Sequence, residues 1–304
     1  MSTVFSRIKF SCISAQLFIF PSLLMGQMIT VSTRRSFSWL VFILVHLYGL
    51  CIHAYIIYTR NVTDCKMGPI PNTSRFSTPA SLALARDRFR HKTVFNGAIL
   101  VAASSLLVSA ILSLWTRNWL LFAAAALSLL TFQSNSFYLF KVPQRLSPDS
   151  LQMLGTGLLL PIIGHLSQGG LVMNIPWLLL LLLLPAQLAT AVSVSMKDNI
   201  SNRSGTNRAL MNKLGPTVTE LLILVLYILS LSGTALYFST VLNQWFALLV
   251  FAVLILFILI QVFFFSRTQT PPDKQDLDTL IMLSSLTNAA FGLGVSLMLF
   301  YVVV

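Results

Sequence analysis

Residues 197–215, KDNISNRSGTNRALMNKLG, set a carboxylate, several amides and four cations between two long apolar runs. Asp198 and Asn202 are four apart, so a helix through them would present both on one face. A carboxylate and an amide so placed offer oxygen donors to a divalent metal. Lys197, Arg203, Arg208 and Lys213 could clamp phosphate oxygens beside them. A second stretch, RNVTDCKMGPIPNTSRFS, repeats the pattern with Arg60, Asn61, Asp64 and Lys66. A helix continuing through Asp64 would gather Arg60, Asn61 and Asp64. Lys141 and Arg145 in YLFKVPQRLSPD add two more cations, with Tyr138 just before them. The plainer reading of each stretch is a solvated basic loop at a membrane surface.

The elements that must position these groups follow from composition. The chain has 304 residues, of which 56% are hydrophobic and 9% charged, against roughly 25% charged in soluble domains. Several apolar runs reach the ~20 residues that a helix needs to cross a bilayer. Strand-type alternation is absent, which argues against a membrane barrel. The sequence therefore describes an all-α polytopic membrane protein forming one membrane domain over 1–304. Nine spans are expected, at 10–30, 38–58, 94–114, 119–140, 151–170, 175–196, 218–238, 245–265 and 279–303. The apolar run at the start continues past Pro21 with no cleavage pattern and reads as a first span. Pro21, Pro161 and Pro185 interrupt spans one, five and six, tolerable where neighbouring helices or water satisfy the freed carbonyls. Five glycines between Gly155 and Gly170 suit close helix packing of the fifth span. Cys12, Cys51 and Cys65 have no pairing or metal-ligand spacing and read as small apolar fillers.

Nine spans put 17 of the 20 Lys and Arg on the side of the N-terminus and loops 2–3, 4–5, 6–7 and 8–9. The other side holds Arg34, Arg35 and Arg117. This asymmetry predicts a cytoplasmic basic side, in a bacterial inner membrane or its organelle equivalent. The sequons at Asn61, Asn72, Asn199 and Asn202 would then never meet the glycosylation machinery and read as chance matches. The net charge of +12 is first a topology signal. Nothing resembles a nucleic-acid module, and no oligomeric state is legible.

Loop 6–7 (197–216) resembles the second aspartate motif of the UbiA superfamily of intramembrane prenyltransferases, nearest to its dihydroxynaphthoate prenyltransferase branch. Lys197-Asp198 matches the Arg-Asp pair, and Leu210 and Leu214-Gly215 match the motif's end. Loop 2–3 (59–93) is similar to a compressed first motif, carried by Asn61, Asp64 and Gly68-Pro69. Residues 142–170 resemble the family's Pro-x-x-Leu and glycine-rich fifth span. The motifs are degenerate. Asn202 stands where the family has a second aspartate, Thr206-Asn207 replaces Gly-Lys, loop 2–3 keeps one aspartate, and a glutamate usual in span five corresponds to Thr156 or an apolar neighbour.

The resemblance implies a nine-helix bundle in which Asp64 and Asp198 anchor Mg²⁺, assisted by Asn61 and Asn202. Arg60, Lys66, Lys141, Arg145, Lys197, Arg203 and Arg208 would hold the diphosphate of an isoprenyl donor. An allylic cation would then pass to an aromatic or quinone precursor. The partners implied are an isoprenyl diphosphate, an aromatic acceptor and the lipid bilayer. The missing carboxylates predict weakened Mg²⁺ binding and leave open a terpene-cyclase reaction or a non-catalytic role. An unrelated transporter is disfavoured, because the ionisable groups cluster at one face and not at mid-depth. His46, His53 and His165 read as packing or interhelical hydrogen-bond residues. Glu220 reads as a helix N-terminal carboxylate. Phe263, Phe264 and Phe265 read as core or lipid-facing, and Trp115, Trp119, Trp177 and Trp245 as interface anchors.

Overall fold

The computed structural model describes residues 2–66, 88–136, 148–201, 214–239, 244–267 and 274–302. Within them, the side chains of residues 2–16, 60–66, 88–94, 134–136 and 197–201, with a few others at helix starts, fall outside the description. Among the described residues all regular structure is helical. The elements are α1 (Ser2–Arg34), α2 (Trp39–Lys66), α3 (Arg88–Thr116), α4 (Trp119–Ser136), α5 (Pro148–Leu154), α6 (Leu160–Ser167), α7 (Trp177–Ser201), α8 (Pro216–Ser239), α9 (Gln244–Phe265) and α10 (Lys274–Tyr301).

A π turn at Gly155–Leu159 joins α5 and α6 into one rod. The Leu160 N–H reaches back to the Gly155 carbonyl, one residue further than in an α-helix. Pro161 follows directly. It has no N–H to donate, and its ring would crowd the carbonyl one turn earlier, so a widened turn relieves both problems.

Seven stretches among the described residues are long and apolar enough to cross a membrane: Trp39–Thr59, Phe95–Thr116, Asp149–Ser167, Trp177–Met196, Pro216–Ser239, Trp245–Phe265 and Asp278–Tyr301. They correspond to expected spans two, three and five to nine. Trp119–Gln133 is apolar but shorter. This is an integral, multi-pass membrane protein. Expected spans are framed by longer helices: α2 continues through Lys66 and α7 through Ser201. Pro21 and Pro185 both sit inside unbroken helices.

Two buried apolar clusters meet along α1. One gathers Phe18, Ile19 and Leu23 of α1 with residues of α2, α3, α4 and α6, and the other gathers Met25 and Ile29 with residues of α7 to α10. The glycines let helices approach closely. A Cβ on Gly26 would run into the Pro161 carbonyl, and one on Gly164 into the Leu23 carbonyl, so α1 and α6 touch backbone to backbone. Gly292 of α10 leaves room for the Pro21 ring of α1.

His165 is a structural residue, as expected. Its Nδ1 lies 2.8 Å from Thr30 Oγ1 and its Nε2 donates to the Leu171 carbonyl at 2.9 Å. His46 donates from Nδ1 to the Phe42 carbonyl and lies between the Phe20 and Phe42 rings. Cys51 is a free thiol. Phe263 is exposed, whereas Phe265 packs against the core.

Candidate functional site

The first question is whether Asp64 and Asp198 reach the same end of the bundle. Near the start of α2, the Ser38 N–H donates to Gln168 Oε1 at 3.1 Å, and Gln168 Nε2 donates back to the Ser38 carbonyl at 3.2 Å. Gln168 follows α6 directly, and a short connection carrying a single 3₁₀ turn, Val172–Asn174, leads into α7. Both α2 and α7 therefore set out from one face and run to the other. At 1.5 Å per residue, Asp64 lies about 38 Å and Asp198 about 32 Å along its helix. The two positions, far apart in sequence, arrive at the same face of the bundle.

Packing fixes each helix just before its acidic position. On α2, Tyr58 lies where a Cβ on Gly97 of α3 would stand, and Thr59 is fully buried. On α7, Met196 is fully buried with Leu280 of α10 and against Phe264 and Phe265 of α9. Arg60, Asn61, Asp64 and Lys66 occupy the last turns of α2, and Lys197 and Asp198 the last turns of α7. Their side chains lie outside the described residues. Lys141, Arg145, Asn202, Arg203 and Arg208 lie outside the described residues altogether. Among the described residues no three His, Cys, Asp or Glu side chains converge as metal ligands.

Other polar groups stand at this face, of which Asp149 and Gln152 were not singled out from the sequence. Asp149 sits in the first turn of α5, 1% exposed. Gln152 and Thr156 follow at helical spacing and are also buried, with Thr156 Oγ1 donating to the Gln152 carbonyl at 2.9 Å. This polar stripe descends span five towards the π turn, where Gly157 rests on Leu184 and Gln187 of α7. A matching stripe climbs α7 from Gln187 through Thr190 and Ser193, all buried, towards Asp198. The two stripes approach each other where Gly157 meets Gln187, about halfway along α7. Glu220, near the start of α8, is buried and within electrostatic reach of Asp276 on α10.

Below the acidic positions, hydrogen bonds tie α7 to its neighbours. Gln187 and Asn288 form a reciprocal amide pair, at 2.8 and 3.1 Å. The Tyr227 hydroxyl donates to the Ser284 carbonyl at 2.8 Å and lies 2.7 Å from Ser284 Oγ and 3.0 Å from Thr190 Oγ1. Gln261 Nε2 donates to Thr287 Oγ1 at 2.6 Å. The available sequence signal was the spacing of Asp149, Gln152 and Thr156 within an otherwise apolar span. The amide pair had none, since its members lie in different spans.

Residues 18–286 match the UbiA prenyltransferase family. The chain belongs to this family. The fold agrees. A UbiA homologue from Aeropyrum pernix K1, in its apo form, superposes with a TM-score of 0.63 at 16% identity, covering 90% of this chain and 96% of that one. A structure concerned with a digeranylgeranylglyceryl phosphate synthase in membranes superposes with a TM-score of 0.58, also at 16% identity, covering 95% and 98%. No curated protein sequence matches the chain.

For Mg²⁺ the structure offers two carboxylate positions and no side-chain geometry. The UbiA chain brings one carboxylate position on α2 and one on α7 to a common face, and hard oxygen donors of this kind suit Mg²⁺ when water and phosphate oxygens complete its shell.

Proposed function

We propose that this chain is a divergent intramembrane prenyltransferase that moves an isoprenyl group from its diphosphate to an aromatic or quinone precursor. The observation that carries the reading is the arrival of Asp64 and Asp198 at one face, on separate helices, in a chain that belongs to the UbiA family. All nine expected spans cross the membrane in this reading, with α1 and α4 as the first and fourth. The N-terminus and the basic loops face the cytoplasm.

Asp64 and Asp198 would each hold one Mg²⁺, with Asn61 and Asn202 as neutral oxygen donors. Bound there, the metal supplies charge neutralisation to the departing diphosphate. Arg60, Lys66, Lys141, Arg145, Lys197, Arg203 and Arg208 grip the diphosphate oxygens and stabilise the charge that builds on them as the C–O bond breaks. The apolar helices around the site exclude water from the allylic cation until the acceptor captures it.

Asn202, in place of the family's second loop 6–7 aspartate, favours a second reading, in which the bundle is kept for binding alone. Incubating purified protein with geranylgeranyl diphosphate, Mg²⁺ and a panel of aromatic acceptors separates them. Diphosphate release coupled to acceptor alkylation supports transfer. Release without acceptor indicates a cyclase, and no release under any condition overturns the catalytic reading.

A further inference from the structure

The face opposite Asp64 and Asp198 has its own chemistry. All five tryptophans sit there, at helix ends: Trp39, Trp115, Trp119, Trp177 and Trp245 are between 44% and 81% exposed. The cations there are Arg34, Arg35 and Arg117. The described connections at this face, residues 35–38, 117–118 and 168–176, contain no Asp or Glu, and the sequence between α8 and α9 contains none either. Six of the chain's eight acidic residues lie on helices near their ends at the other face, and Asp87 and Asp273 immediately precede α3 and α10, which start there. Among the described residues, the three guanidinium groups thus have no Asp or Glu side chain at their own face.

Backbone geometry marks two of them. Arg35 and Arg117 have φ of 54° and 51° and follow the last residues of α1 and α3. This left-handed position after a helix is ordinarily filled by glycine, as Gly169 at φ 83° does after α6. A cation serving the helix dipole does not require it, since Arg34 already stands in the last turn of α1. Each arginine is also set among aromatics. Trp115 and Trp119 flank Arg117, while Phe37 and Trp39 follow Arg35 and stack edge to face at 5.0 Å. The two stations stand at the same end of one helix pair, because α2 starts just after Arg35, α3 ends just before Arg117, and the two helices pack along each other in opposite directions.

We propose that Arg35 and Arg117 form a binding site for the headgroup phosphate of an anionic phospholipid in the adjacent leaflet, with the exposed tryptophans seating its glycerol and upper acyl region. The phosphate supplies the counter-charge that no described Asp or Glu provides at this face. This assignment does not rest on the prenyltransferase reading.

The test uses full-length protein in mild detergent, with thermal unfolding followed during titration with phosphatidylglycerol, phosphatidylcholine or inorganic phosphate. Phosphatidylglycerol should raise the midpoint by several degrees over phosphatidylcholine, and inorganic phosphate should not. The paired substitution Arg35→Gly, Arg117→Gly should remove at least half of that gain. Glycine suits the left-handed backbone, so the midpoint in phosphatidylcholine should stay level or rise. Arg35→Lys with Arg117→Lys should keep most of the gain. An equal response to both lipids, an equal response to inorganic phosphate, or a full gain in the glycine variant would overturn the site, the last by placing the lipid at the basic face.

Discussion

The two halves of the bundle bury similar apolar side chains but are fastened differently. Around α1, α2, α3, α4 and α6 the helices come close through glycine against backbone, with Tyr48 to Ser128 and Thr30 to His165 as interhelical hydrogen bonds. Around α7, α8, α9 and α10, amides and hydroxyls bridge the helices at several depths. In lipid, apolar burial gives helices little reason to prefer one another, so shape and hydrogen bonds must decide. The first half uses shape and the second uses hydrogen bonds. Each half also delivers one acidic position to the same face, Asp64 on α2 and Asp198 on α7.

The sharpest test of that division is chemical. If the proposed reading holds, Asp64→Ala and Asp198→Ala should each lower Mg²⁺-dependent diphosphate release on the order of 100-fold or more, since each would remove a carboxylate proposed to hold the metal at the leaving group. Both variants should unfold at the wild-type temperature, because their helices are anchored earlier, at Tyr58 and Met196. A variant losing one half's acid with activity intact would show that the halves do not share a site.

Next in size is a break in the shape-based half. Gly164→Ala would push a methyl into the Leu23 carbonyl, where neither backbone can yield cheaply. Overpacking of this kind costs about 3 kcal/mol, and a marked fall in the thermal midpoint is expected. Gly215→Ala is the contrast, since Gly215 has open space around it though its φ is 81°. It should cost about 1 kcal/mol through backbone strain alone.

In the hydrogen-bonded half the expected effects are smaller and depend on how the pair is broken. Asn288→Leu alone strands the Gln187 amide in an apolar interior and should cost about 1–2 kcal/mol. Gln187→Leu combined with Asn288→Leu removes both partners and should recover much of that loss. Thermal unfolding of both single variants and the double variant closes the cycle. Additive losses would show that the two amides do not depend on each other.

Much of this architecture was legible before any coordinates. Bilayer thickness sets the length of an apolar run, so spans two, three and five to nine could be placed from hydropathy. The common face of Asp64 and Asp198 followed from counting crossings, since both stand at the end of an even-numbered span. The end positions of Trp115, Trp119, Trp177 and Trp245 followed from the same count. What stayed hidden was pairing. Nothing periodic in the sequence says that Gly26 meets Pro161, or that Gln187 meets Asn288 one hundred and one positions later. Asp149 was overlooked because a lone carboxylate after Ser147-Pro148 reads as a helix start, and only burial at 1% sets it apart.

The smallest expected effect belongs to Tyr227→Phe, although Tyr227 is fully buried and makes more polar contacts than either amide. Its partners have somewhere else to go. Thr190 Oγ1 already lies 3.0 Å from the Ala186 carbonyl, so it keeps an acceptor when the phenol is gone. The Ser284 hydroxyl can turn back onto a carbonyl of its own helix, as Thr287 does with Leu283 and Ser296 with Gly292. The Ser284 carbonyl remains inside the α10 hydrogen-bond ladder. The ring itself, stacked 6.0 Å from Phe291, is unchanged in phenylalanine. The loss should therefore stay near 0.5–1 kcal/mol, below that of the stranded Gln187 amide. A Tyr227→Phe variant less stable than Asn288→Leu would reverse this order, and would mean that the hydroxyl cluster and not the amide pair holds α7 against α8 and α10.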